Sequence, residues 1–271
     1  MKTFRFLFFI VMFYLTAPTG NAQVASSEPI RYTQYSYMKV KPGMWEDYLK
    51  CEKAWKKIHL AKKSAGRLED WSIAEVLSPS GASCEYDYVT RNTFTVDQYA
   101  ASFSGSYFPE NWQSLLTIDE IDLVLRTEEF RTLVKNETWT ITHSIWADDA
   151  TSTAKVFVFN YFTVPNGNTA AHTKVEVDLW KPVHDYRVKA GTMKGWLLLD
   201  MVMPFGASQP YSQASIDAYA DMKQFLQPWT NDSIKKVHPD KTAAAIFKQT
   251  SDVCTIVKGE VRMLVDRLDW K

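Results

Sequence analysis

The hydrophobic positions of this chain follow two alternating periods. Residues 32–41 alternate as a strand does, and Pro42-Gly43 ends them. The spacing then becomes helical over 44–63. Met44, Tyr48, Cys51, Trp55, Ile58 and His59 recur at steps of three and four, while Glu46, Lys50, Lys53, Lys57 and Lys63 fall largely elsewhere. Gly66 stands where a helix C-cap glycine belongs. Residues 71–77 and 85–94 read as two strands around a Pro79-Ser80-Gly81 turn, with Tyr86, Tyr88 and Phe94 on one face. From 98 to 134 the pattern is mostly helical, broken near Gly105 and Pro109. Residues 138–146 then set Trp139, Ile141, His143 and Ile145 against Thr138, Thr140, Thr142 and Ser144. The order is β-α-β-β-α-β, a ferredoxin-like unit.

The same order follows again: a strand at 156–164, a helix at 169–189, an apolar strand at 195–203, a shorter and more polar one around Tyr211, and a last strand at 260–268. Trp55, His59, Gly66, Trp71, Pro79 and Gly81 recur as Trp180, His184, Gly191, Trp196, Pro204 and Gly206, each 125 positions later. With 10 Trp and 5 His in the chain, that coincidence marks an internal duplication. Trp229 follows Trp112 by only 117 positions, so eight residues are lost after Gly206. The match recovers in Leu133-Val134-Lys135-Asn136-Glu137 against Ile256-Val257-Lys258-Gly259-Glu260. The organisation read from this is a leader over 1–22, a first repeat over 23–147, a small polar linker over 148–154 and a second repeat over 155–271.

The leader reading rests on Lys2 and Arg5, an apolar run over 6–15 and small residues before Gln23, a signal-peptide pattern too short to span a bilayer. The mature protein is therefore expected outside the cytoplasm, periplasmic or extracellular, without a membrane anchor. Without residues 1–22 it carries 29 Lys and Arg against 31 Asp and Glu, a balance that excludes the broad basic face a nucleic-acid partner needs. Cys51, Cys84 and Cys254 have no metal-binding or framework spacing, and one bridge among them stays open.

The candidate chemistry lies in the duplicated residues. Trp55 and His59 sit one turn apart on the apolar stripe, as do Trp180 and His184, so both pairs should face a sheet. One reading makes each Trp a core wedge and each His a satisfied buried group. The other projects His59 into a cleft as a base or ligand contact, with Trp55, Trp71 and Tyr86 around it and Trp180, His184 and Trp196 as the second set. Pro182 should kink the second helix and re-aim His184, which favours the first half. Glu52 aligns with Val177 and Glu176 with Cys51, so no carboxylate repeats beside the histidines and no metal site is expected. His172 and His238 read as exposed. Phosphate loops, nucleophile elbows and zinc-protease motifs are absent.

In topology and duplication the chain resembles the dimeric α+β barrel superfamily, in the form with two ferredoxin-like units fused in tandem. That resemblance implies two sheets closing into one pseudo-symmetric barrel with helices outside, and ligand clefts between a sheet and its helices. It also implies a choice among cofactor-free oxygenases of aromatic substrates, haem-binding proteins and units without chemistry. The function expected is binding of a small apolar or aromatic molecule by a monomer or homodimer, with oxygenase-like catalysis through His59 as base. The alternatives are a structural module in which the Trp-His pairs only pack, and a haem protein with a histidine as axial ligand.

Overall fold

The structure is a computed structural model that describes residues 30–268 except 82, 166, 207 and 228–231. The leader reading and Trp229 lie outside the described residues. Eight strands form one closed antiparallel barrel: β1 (Arg31–Val40), β2 (Asp70–Ser78), β3 (Tyr88–Thr95), β4 (Arg131–Trp146), β5 (Val156–Thr163), β6 (Gly195–Met203), β7 (Gln213–Tyr219) and β8 (Thr255–Arg267). Around the barrel the order is β1-β3-β2-β8-β5-β7-β6-β4. The first four strands thus lie as β4-β1-β3-β2 and the last four as β8-β5-β7-β6, with β2–β8 and β4–β6 as the seams.

Alternation along the strands feeds two kinds of core. One face of each strand turns into the lumen, where Tyr35, Tyr37, Trp139, Phe159, Tyr161 and Leu199 pack together. The other face is covered by helices. Tyr48 and Cys51 of the helix Trp45–Ser64 cover Trp71, Ile73 and Tyr88. In the second half, Trp196 and Leu198 lie under the helical segment that begins at Thr169. Burying both faces explains why these strands read as near-continuous apolar runs.

Gly66 and Gly191 are the expected helix stops. Both have positive φ, 67° and 71°. Arg67 N–H bonds the Lys62 carbonyl at 2.8 Å and Thr192 N–H that of Arg187 at 3.0 Å, the paired closure of a Schellman motif.

The structure corrects the sequence reading in several places. Residues 98–134 are less helical than their pattern, holding only Val96–Ala101, a 3₁₀ turn at Trp112–Leu115, Ile118–Leu125 and Thr127–Phe130. Pairing with β1 starts β4 at Arg131, and pairing with β5 starts β8 at Thr255. The strand expected around Tyr211 begins at Gln213 and is almost wholly buried. β4 breaks register between Ile141 and His143, so Trp139 and Ile141 face the lumen whereas Ile145 packs with Trp196 outside. Tyr86 also changes face. Met38 pairs with Tyr88 while its carbonyl accepts from Asp87 N–H at 2.9 Å, so the alternation slips. Tyr86 enters the lumen, and Tyr88 and Phe94 stay under the helix.

At Pro182, where the sequence predicts a kink, the second helix carries a π turn just before the proline. It runs as Thr169–Val175, a π turn at Glu176–Trp180 and Lys181–Lys189. The wider turn leaves room for the ring and the missing N–H of Pro182. It also takes one extra residue. Lumen partners upstream, such as Tyr37 and Tyr161, are 124 apart, and Trp55 and Trp180 downstream are 125 apart. Glu176 is therefore the counterpart of Glu52, and both are buried.

Candidate functional site

The helix stripe brings His59 down onto the sheet, against solvent exposure and against a role for Tyr86 beside it. The His59 ring stacks on Trp71 at 5.3 Å between centroids and 14° between planes, and lies 6.1 Å from Trp55. In the second half His184 stacks on Trp196 at 5.4 Å and 11°, 6.2 Å from Trp180. The two assemblies agree down to the outer partner: Trp55 Nε1–H donates to Thr127 Oγ1 at 2.9 Å and Trp180 Nε1–H to Thr250 Oγ1 at 2.8 Å. Pro182 thus leaves His184 aimed as His59 is. Trp55, His59 and Trp71 come together, as do Trp180, His184 and Trp196, while Tyr86 belongs to the lumen.

Beside His59 a cleft of about 250 Å³ opens between helix and sheet. Trp55, Trp71 and Tyr107 supply aromatic walls, and Gln34, Asn92 and Asn136 supply amide groups from the strands. Glu52 and Arg131 add charge, and Ser36 lies on its sheet floor. The Nδ1 of His59, the Nε1 of Trp71 and the Nε of Arg131 are buried without a protein partner. Unpaired buried donors and acceptors are costly, so three on the lining of one cleft indicate polar contacts left for something else.

Burial sets the protonation here. It holds His59 well below the ordinary imidazole value, helped by the charge of Lys62, and brings His184 to about 3, helped by Arg187. Both rings are neutral at pH 7. We expect their Cε1–H proton resonances to stay fixed between pH 8 and pH 5 in an NMR titration; a normal imidazole curve for either would contradict its burial. Glu52 goes the other way. Burial raises it to about 7 against the pull of Arg131 and the Tyr48 hydroxyl. A carboxyl that half-titrates at neutral pH can take and return a proton, a better match to base chemistry than a histidine held neutral far below pH 7. Sequence alignment at one fixed offset hid Glu52, because the π turn shifts its partner by one position.

Other expectations are corrected. His172 is fully buried, not exposed, with Nδ1 2.6 Å from Gln213 Oε1 and Nε2 3.4 Å from Glu176. Burial lowers its pKa, but the hydrogen bonds the ring donates to Cys254 and Glu176 outweigh that and bring it to about 10. His238 is half-buried and its Nε2 meets the Leu179 carbonyl at 2.9 Å. All three cysteines are free thiols. Among the described residues no group of His, Cys, Asp and Glu could hold a metal ion, and no helix is long and apolar enough to cross a membrane.

The inner end of the lumen holds a second duplicated constellation that sequence reading missed. Tyr37 O–H donates to Glu137 at 2.6 Å, and Tyr211 O–H donates to the other oxygen of Glu137 at 2.6 Å. Tyr86 O–H donates to Glu260 at 2.5 Å from the opposite half. Lys135 lies 3.2 Å from Glu137 and Lys258 lies 2.9 Å from Glu260. The symmetry breaks at one position: Arg262, paired with Glu260 and 2.7 Å from the Tyr161 hydroxyl, stands where the first half has Trp139. The one available signal was the Lys-x-Glu match between 135–137 and 258–260.

No protein-family profile matches the chain, and no curated protein matches it. Solved structures do match in shape. An anthrone oxidase-like protein superposes with a TM-score of 0.51 at 10% identity, covering 90% of this chain and 95% of that one. A provisional monooxygenase from Lactobacillus acidophilus gives 0.46 at 13% identity, over 89% and 94% of the two chains. A heme-binding protein from Thermus thermophilus gives 0.43 at 10% identity, over 87% and 91%. At these identities the likeness is one of fold. The chain has a mixed α+β fold built on a closed eight-stranded antiparallel barrel, and the anthrone oxidase-like protein shares that fold.

Proposed function

We propose that this protein binds a compact ring-containing molecule in the helix–sheet cleft at His59 and moves a proton there with Glu52. The observation that carries this reading is a buried carboxyl poised at about 7 on the lining of an aromatic-walled cleft. At about 250 Å³ the cleft falls below the roughly 300–1,000 Å³ of drug-sized sites, so it suits about one ring system, gripped between Trp55 and Trp71 and oriented by Gln34, Asn92 and Asn136. Proton abstraction from an acidic C–H or O–H is also the first step of a cofactor-free oxygenation by dioxygen, the narrower reading that the anthrone oxidase-like neighbour's name suggests. Haem binding, suggested by another neighbour's name, fits this cleft less well. The cleft is small for a four-pyrrole macrocycle.

The wider setting belongs to the same proposal. The matching strand orders of the two halves, the repeated Trp-His-Trp stacks and the paired lumen residues support a tandem fusion of two ferredoxin-like units. The apolar run behind Lys2 and Arg5 supports export. One chain closes the barrel by itself, so a monomer suffices for the site.

The test is a panel of single-ring probes, phenol, catechol and indole, in saturation-transfer NMR. Binding should disappear in Ser36→Trp, which fills the cleft. In wild type its affinity should change through about pH 7 and in Glu52→Gln it should not. Addition of haem should produce no Soret shift that depends on His59. Probes that bind equally well to Ser36→Trp, or do not bind at all, would leave the Trp-His pairs as packing and favour the structural-module reading.

A further inference from the structure

The outer half of the barrel lumen is a cavity of about 1280 Å³, separate from the His59 cleft and far larger. Its walls compare corresponding positions of the two halves. Across three strands of the first half and over the β2–β8 seam, Tyr35, Arg91, Ser72 and Arg267 form one lateral row: Tyr35 pairs with Arg91, Arg91 with Ser72 and Ser72 with Arg267. The corresponding row across the second half and over the β6–β4 seam is Phe159, Ile216, Leu197 and Ser144, joined by equivalent pairings. All eight residues line the cavity. One row is therefore cationic and hydroxylic, and the facing row is apolar except for its Ser144 end, with the Arg262 guanidinium 3.7 Å over the Phe159 ring. Packing alone gives no reason for this divergence, because a filled barrel would be apolar on both sides.

The polar wall also carries unmet hydrogen-bonding capacity. Thr33 Oγ1, Asp70 Oδ1 and Arg91 Nε are buried without a protein partner, and all three residues line the cavity. Asp70 pairs with the Arg91 guanidinium through Nη2, which leaves Nε over. Arg267 has no carboxylate partner for its side chain among the described residues. Trp146 lies at the mouth against Gly195, where a Cβ would come within 2.2 Å of the indole; Gly195 occupies the position that corresponds to Asp70.

We propose that the outer lumen is a second binding site, for an amphipathic organic acid. Its anionic head would lie between Arg91 and Arg267 over Ser72, and its apolar body would lie along Phe159, Ile216 and Leu197. Arg91 and Arg267 flank Ser72 from the neighbouring strands; Arg267 can bond a planar carboxylate or sulfonate head with paired N–H groups, and Arg91, whose Nη2 is held by Asp70, adds a single N–H bond and charge. Ile216 and Leu197, with the part of Phe159 that Arg262 leaves open, give the rest of the molecule an apolar face, and the volume admits a chain or a fused-ring body.

The test uses the full mature chain and dodecanoate in isothermal titration calorimetry, with dodecyltrimethylammonium as the probe of opposite charge. Dodecanoate should bind and the cation should not. Arg267→Gln should weaken dodecanoate by roughly ten-fold or more, the loss expected for a charge-assisted bond. Ser72→Trp, which fills the middle of the row, should abolish binding, and the cleft-filling Ser36→Trp should leave it unchanged. That last result separates this site from the His59 cleft, so either proposal can fail alone. The inference is overturned if wild type does not bind dodecanoate, if the cation binds as tightly, or if Arg267→Gln binds dodecanoate as wild type does. The charge-reversed probe and Arg267→Gln decide the matter even if Ser72→Trp does not fold.

Discussion

Glu260→Gln should be among the most destabilising single substitutions in this chain, costing about 3–5 kcal/mol, the range for removing one partner of a buried ion pair. Glu260 is 1% exposed and Arg262 2%, and the carboxylate also takes Lys258 at 2.9 Å and the Tyr86 hydroxyl. Removing the charge strands two cations at the inner end of the lumen. For a chain of this size that corresponds to a melting point lower by roughly 6–20 °C. Glu260→Leu combined with Arg262→Met should recover part of the loss, because paired apolar replacements avoid the stranded charge. Burial raises the Glu260 pKa, but the charges of Arg262 and Lys258 outweigh it and bring it to about 2. Its folded pKa is thus depressed below the unfolded carboxyl value near 4.3. This contribution is fully present above that value and disappears as pH falls toward 2, so the difference between wild type and Glu260→Gln should shrink across that window. Equal stability of the two proteins at pH 7 would show that the cluster contributes nothing.

Trp71→Ala and Trp196→Ala should each cost about 3–5 kcal/mol, the range for truncating a buried Trp. Both side chains are essentially inaccessible, at 1% and 0%, and each carries a histidine stacked on its face. Trp55→Ala should cost less, since Trp55 is only half-buried and holds its place partly through Thr127. The informative comparison is between halves. If the stacks are packing devices alone, the two substitutions should behave alike in every assay. If the first-half cleft binds a ring molecule, Trp71→Ala should also lose probe binding, whereas Trp196→Ala should keep it. Chemical denaturation with the NMR probe assay run on the same samples separates these outcomes.

The features visible in the sequence are those that depend on local period and on large side chains. A 3.6-residue stripe holding Trp55 and His59 must face the sheet, and Gly66 and Gly191 must close helices that end beside them. The single offset of 125 made the two stacks readable as one device used twice. The same offset misled wherever the backbone gains or loses a residue. The π turn at Glu176–Trp180 hides the correspondence of Glu176 with Glu52. The shifts at Ile141/His143 and at Asp87 reverse which face a side chain takes, so Tyr86 was grouped with the wrong neighbours. Bulges and π turns are decided by pairing partners far away in sequence, and no local pattern announces them. The lumen was invisible for a related reason. Its content depends on which strands face one another after closure, and nothing local to Arg91 shows that Ile216 holds the corresponding position on the facing wall.

The central claim is that the cleft beside His59 and Glu52 holds a compact ring molecule. Native mass spectrometry of protein purified from its own host, wild type beside Ser36→Trp, tests it most directly. A small organic adduct on wild type that is missing from Ser36→Trp is the predicted result. Bare protein in both samples, or an adduct that survives in the filled-cleft variant, would contradict it.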